Sequence, residues 1–172
     1  MKTKAWIGID PGVTGSAALV TRDGDIQGIL DWQGIDHARE ILEQWVDLYS
    51  IEAGAIEKVN GFPRTDGGNR HIVSINKLMR NSGQWEGLLC ALGIPYLRIL
   101  PQKWQRGLVS KSLGPSPKKR SLAAARSIFK NQRRYFVREM DHNRADAALI
   151  ALHATNYNRR KIELIRRLEG DH

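Results

Sequence analysis

Apolar and polar positions alternate between two periods along the chain, and the switches between them outline its elements. Three short apolar runs at residues 6–9, 16–21 and 26–31 read as strands. Asp23-Gly24 supplies a hairpin turn between the second and third. From Asp36, read as an N-cap, the pattern changes to helical spacing: Ile41, Leu42, Trp45 and Val46 form one face of a helix ending near residue 49. Residues 53–56 return to a strand that stops at Glu57, and a polar loop with four turn-forming residues covers 60–70. Residues 72–92 read as a long helix burying Leu78, Trp85, Leu88, Leu89 and Leu92. Residues 95–100 read as a strand, and 106–117 as a basic loop with Gly, Ser and Pro. Helices follow at 118–130 and 143–157, separated by a connector, and residues 158–172 form a charged helical tail. Three hairpin-linked strands, then helix, strand, helix, strand, predict an α/β fold. Its mixed sheet is antiparallel first and parallel through helical crossovers, with helices on both faces. No repeat or linker divides the 172 residues, so one domain is expected.

Charge changes the picture. The net charge is +9, but residues 1–57 carry 4 basic and 10 acidic side chains, whereas 58–172 carry 23 and 8. Residues 87–138 hold 12 basic side chains and no acidic one. Such segregation suits a polyanion, nucleic acid first, better than it suits a merely soluble surface, where both signs are interspersed. A single cysteine, Cys90, excludes an intrachain disulfide and a thiolate zinc cluster. No apolar window is long enough to span a bilayer, and the first four residues lead into a strand and not a signal sequence. The expectation is a cytoplasmic protein with no membrane partner.

The acidic first third holds the candidate chemistry. Asp10 closes the first strand at a Pro-Gly turn, with Gly12 and Gly15 read as supplying positive φ. Glu57 closes the fourth strand, and Asp146 begins the small, apolar run 147–151. Taken singly, each has an ordinary reading: a turn aspartate, a strand-end pair with Lys58, a helix N-terminal acid. Together they are the carboxylate set that two-metal phosphoryl chemistry requires, with hard cations about 3.5–4 Å apart. The glycine turn lacks the lysine and spacing of a nucleotide phosphate loop.

Three motifs carry a resemblance. Residues 7–16 (Ile-Gly-Ile-Asp-Pro-Gly-Val-Thr-Gly-Ser), 55–59 (Ala-Ile-Glu-Lys-Val) and 142–151 (His-Asn-Arg-Ala-Asp-Ala-Ala-Leu-Ile-Ala) resemble, in order, the RuvC-type Holliday junction resolvases, nearest their bacteriophage and prophage branch. The resemblance implies a ribonuclease H-like five-stranded sheet and a homodimer. It also implies Mg²⁺-dependent nicking of a four-way DNA junction, two ions per site, with Mn²⁺ able to replace Mg²⁺. The host would be a bacterial or phage-infected cell. By motif, Asp10, Glu57 and Asp146 would hold metal, and the fourth position falls on Asn143, where the related phage proteins carry an acid or a histidine. Asparagine is a weaker ligand. Either Asp141 or His142 substitutes through a shifted helix start, or three carboxylates suffice, or Asn143 is an engineered replacement of aspartate; the last fits the surrounding motif best.

For DNA, Phe62 is the candidate to stack in the junction centre, with Arg64 and Arg70 on nearby phosphates. Lys103, Arg106, Lys111, Lys118, Lys119 and Arg120 form the densest basic stretch, and Trp104 within it reads as a packing residue. Gly83 and Gly87, four apart on the long helix, make it the candidate dimer face, the alternative being close packing on its own sheet. Two other functions are open at this stage: a junction-binding protein weakened by Asn143, and a ribonuclease H-like nuclease on RNA–DNA hybrids or other branched DNA.

Overall fold

The computed structural model describes residues 1–59 and 68–170, with only the backbone of 68–71 and 169. The strands are β1 (Thr3–Asp10), β2 (Ser16–Thr21), β3 (Ile26–Asp31), β4 (Tyr49–Glu57) and β5 (Tyr96–Ile99). They form one sheet in the order β3-β2-β1-β4-β5. β1 pairs antiparallel with β2, and β2 with β3; β1–β4 and β4–β5 are parallel. The expected α/β architecture is therefore present, with the antiparallel and parallel halves as the pattern predicts. The helices are α1 (Ile35–Leu48), α2 (Gly68–Ala91), α3 (Pro101–Gln105), α4 (Pro117–Ile128), α5 (His142–Ala154) and α6 (Arg159–Glu169). Short 3₁₀ turns occupy parts of the predicted basic loop and connector, at Lys111–Leu113, Lys130–Phe136 and Glu139–Asp141.

Each sheet face has its own core. Ile7, Ile9, Leu19 and Ile56 pack with Leu42, Trp45, Trp85 and Leu89 of α1 and α2. On the other face Trp6, Ala18, Ala53 and Ala55 meet Ala147, Ala148 and Ala151 of α5, with α4 and Phe136 beyond. Small side chains on both partners let α5 lie unusually close to the sheet. The limit is reached at Gly8, where a Cβ would fall 2.1 Å from the backbone nitrogen of Ala151 and 2.2 Å from the carbonyl of Ala147. Only glycine fits there. This contact of backbone on backbone fixes where the start of α5 meets the end of β1.

Three local expectations change. α1 begins at Ile35 behind Gly34 (φ 112°), so Asp36 lies inside the first turn and is not the cap. Gly12 and Gly15 are absent from the positive-φ glycines. What Gly15 provides is clearance, since a Cβ there would fall 2.3 Å from the carbonyl of Asp10. The C-terminal tail is more than a charged appendage: α6 buries Ile162 in the α5-side core and is capped by the Asn158 side chain. Among the described residues nothing lies within 4 Å of a Cβ built on Gly83 or Gly87, so that face of α2 does not pack on its own sheet.

Candidate active site

Parallel strands β1 and β4 end side by side, with Ile9 opposite Ile56, so their terminal residues Asp10 and Glu57 emerge at the same edge. α5, seated on Gly8, brings Asp146 to them from one face. All three are half-buried; Glu57 feels the charge of Asp10, and Asp146 feels the charges of both. Burial raises the Asp10 carboxyl above its ordinary range, against the Gly12 N–H at 3.1 Å and the nearby charges of His142 and Lys118. Burial also pushes Glu57 up to about 7; a hydrogen bond from Trp104 opposes this, and the charge of Asp10 adds to it. Asp146 rises to about 8, again chiefly through burial, with a Ser121 hydrogen bond opposing and Asp10 and Glu57 reinforcing.

The residues around the carboxylates hold them in place. The buried Trp104 indole donates to Glu57 Oε2 at 2.7 Å, so this tryptophan orients a site carboxylate as well as packing. The turn after Asp10 is clasped from both sides of the sheet. From α2, the Asn81 amide donates to the carbonyls of Gly12 (3.1 Å) and Val13 (3.4 Å). From α5, the Asn143 amide donates to the carbonyl (2.6 Å) and hydroxyl (2.9 Å) of Thr14. Arg144 pairs with Asp31 at the end of β3, fastening α5 to the antiparallel half. The parts that Trp104, Ser121, Asn81 and Thr14 play around the carboxylates escaped the sequence reading, which took Trp104 as a packing residue alone.

The two proposed stand-ins for a fourth acid fare differently. Asp141 is buried and committed to Arg138, whose backbone N–H (2.8 Å) and guanidinium (2.8 and 3.0 Å) donate to it, with Arg144 at 3.8 Å. Burial alone would raise its pKa, but these partners bring it below the usual range. It is not free to join the cluster. His142 lies within electrostatic reach of Asp10. Of the basic candidates, Lys118 reaches the site, its charge lowering both Asp10 and Asp146. Lys103, Arg106 and Lys111 are exposed, Lys119 is 3.9 Å from Glu139, and Arg120 is half-buried. Phe62 and Arg64 lie outside the described residues, as does the side chain of Arg70.

Among the described residues no three His, Cys, Asp or Glu side chains close into a ready-made metal cluster. The donor set nonetheless fits a divalent cation. Among the described residues Asp146 Oδ1 is buried without a hydrogen-bond partner, and three neighbouring carboxylates are held against their preference to ionise. A hard cation would satisfy that oxygen and offset the repulsion.

No family model matches the sequence, and no curated protein matches it. Solved structures do match in three dimensions. Thermus thermophilus RuvC in complex with a Holliday junction substrate superposes with a TM-score of 0.61 at 18% identity, covering 88% of this chain and 93% of that one. The chain has the RuvC fold. A second Thermus thermophilus RuvC structure gives 0.55 at 18% identity, covering 96% of each chain. At this identity the RuvC likeness establishes the ribonuclease H-like fold and transfers no residue roles. Among the described residues no helix is long and apolar enough to cross a membrane.

Proposed function

We propose that the chain is a structure-selective endonuclease that resolves four-way DNA junctions by paired, metal-dependent nicks. The convergence of Asp10, Glu57 and Asp146 on one sheet edge, with Asp146 Oδ1 unpartnered, carries this reading. Support comes from the RuvC fold, one solved example of which holds a Holliday junction, and from the basic second half of the chain. Placement in a phage or prophage branch rests on the sequence motifs alone.

In this reading Asp10, Glu57 and Asp146 hold Mg²⁺, or Mn²⁺ in its place, with Asn143 or His142 beside them. Bound divalent cations supply a nucleophile at neutral pH and neutralise charge on the reacting phosphoryl oxygens. The chain's own part is positioning. Trp104 holds one oxygen of Glu57, Gly12 one oxygen of Asp10, and Ser121 the Asp146 carboxylate. Lys118 adds positive charge where a scissile phosphate would lie. Hydrolysis would leave a 5′-phosphate and a 3′-hydroxyl. A homodimer joined through the open face of α2 at Gly83 and Gly87 would present two such sites, its two-fold axis matching that of the junction.

One observation favours a second reading. The Asn143 side chain donates its amide N–H groups to Thr14 and brings no fourth carboxylate to the site, which suits a protein that binds junctions and cuts them weakly. The deciding assay is cleavage of a synthetic four-way junction with Mg²⁺ or Mn²⁺, beside a linear duplex and an RNA–DNA hybrid. Paired nicks in the junction, abolished by Asp10→Asn, are expected. Junction binding without nicking in either metal would establish the second reading, and preferential cutting of the hybrid would refute both.

A further inference from the structure

Among the described residues β5 is an edge strand, paired with β4 alone. Beside it, with α6 contributing Ile165 and Arg166 to the wall, lies a cavity of about 480 Å³ whose polar lining includes Lys58, Tyr96, Arg98, Lys103, Tyr157 and Arg166. Its charge is only partly spent. Arg98 is met by Glu86 at 3.4 Å. Among the described residues, Lys58, Lys103 and Arg166 have no acidic partner within 4 Å. Three cations with no carboxylate partner on a concave wall attract a polyanion.

Position identifies which polyanion. β4 and β5 run parallel and end together, with Glu57 opposite Ile99. Lys58 follows Glu57 directly, its N–H donating to the carbonyl of Ile99 at 2.7 Å. Lys103 precedes Trp104, which holds Glu57. The groove therefore begins one residue from the carboxylate cluster and runs outward along the sheet edge. We propose that it seats the phosphate backbone of the DNA strand as that strand leaves the active site, with Lys58, Lys103 and Arg166 as the phosphate contacts. The proposal rests on the nuclease reading above and specifies the path of its substrate. The groove reads charge and not base identity. Arg166 lies over the Tyr96 ring at 4.6 Å and Lys161 over the Tyr157 ring at 4.7 Å, so a cation already covers a face of each ring on which a base would stack.

Each phosphate contact adds about 0.9 to the slope of log K against log salt concentration. The Lys103→Gln/Arg166→Gln protein, bound to a labelled immobile four-way junction and followed by anisotropy, should lose about 2 from that slope. The Lys2→Gln/Arg22→Gln protein, altered at the opposite end of the sheet, should keep the wild-type slope. Lys103→Gln alone, an exposed change that leaves α6 untouched, should lose about 1 even if the double variant folds poorly. A wild-type slope in Lys103→Gln, with junction binding and nicking intact, overturns the groove and leaves the nuclease reading standing. A wild-type chain that neither binds nor cuts the junction overturns that reading and the groove with it. If the variants lose affinity for labelled polyglutamate while keeping the wild-type DNA slope, the occupant is an acidic polypeptide and the proposal fails.

Discussion

Asp146→Asn should make the metal-free protein more stable at pH 8, although it removes a central site residue. The folded protein holds this carboxyl at about 8, against 3.8 ordinarily. Between those two pH values the folded state binds more protons than the unfolded chain, so stability falls as pH rises through the window. Below it the penalty vanishes, and above pH 8 it is complete. A displacement of roughly 4 pH units at about 1.36 kcal/mol each sets a ceiling of about 5 kcal/mol. The charges of Asp10 and Glu57 contribute to that displacement, so the gain is shared among the three carboxylates, and the single variant recovers only part of it. Asparagine keeps an oxygen for the Ser121 hydroxyl and carries no charge to repel. Urea unfolding followed by tryptophan fluorescence, in chelator, at pH 5 and pH 8, measures the difference. A gain of about 1 kcal/mol moves the midpoint by roughly 0.3–1 M. The variant's advantage should be largest at pH 8, smaller at pH 5 and absent near pH 4. Mg²⁺ at pH 8 should stabilise the wild type more than the variant, because the bound cation replaces the missing counter-charge. A variant less stable than wild type at pH 8, or a difference that ignores pH, would refute the picture of three mutually repelling carboxylates.

Three further changes probe the scaffold. Gly8→Ala places a methyl against the backbone of α5 at 2.1 Å; it should cost at least the roughly 1–3 kcal/mol of ordinary overpacking and weaken Mg²⁺ binding, and an unchanged melting temperature would contradict the close contact. Trp104→Phe removes the donor that holds Glu57 down, so the acid limb of the cleavage profile should move to higher pH and metal affinity should fall about 10–100-fold, both read from pH-rate and Mg²⁺ titrations. Asn143→Asp exchanges two hydrogen bonds to Thr14 for a fourth carboxylate; Mg²⁺-dependent nicking should rise while metal-free stability drops by about 1–3 kcal/mol, and unchanged or lower nicking would mean that three carboxylates suffice.

The three acids were legible because each sits where a local pattern stops: Asp10 at a strand end before Pro-Gly, Glu57 after an apolar run, Asp146 ahead of an alanine-rich helix face. Strand direction followed from the switch of hydrophobic period, since hairpins demand antiparallel pairing and helical crossovers parallel pairing. What surrounds the acids was hidden by sequence separation. Trp104 is 47 residues from Glu57, and Asn81 is 69 from Gly12. No local pattern encodes such partners. Gly15 was noticed for the wrong reason, because clearance and backbone freedom leave the same letter in the sequence. Ile162, the buried anchor of α6, was masked by the charges around it.

The clasp on the Asp10 turn also governs when the site comes into being. Asn81 reaches it across 69 residues and Asn143 across 129, so the clasp is complete only once α5 has been made and both helices have docked. During synthesis, the first strand and its aspartate emerge long before the helix that carries Asp146. A partly made or partly folded chain therefore has its first carboxylate in place without the partners that would make it a cutting site, and assembly of the catalytic edge coincides with completion of the fold.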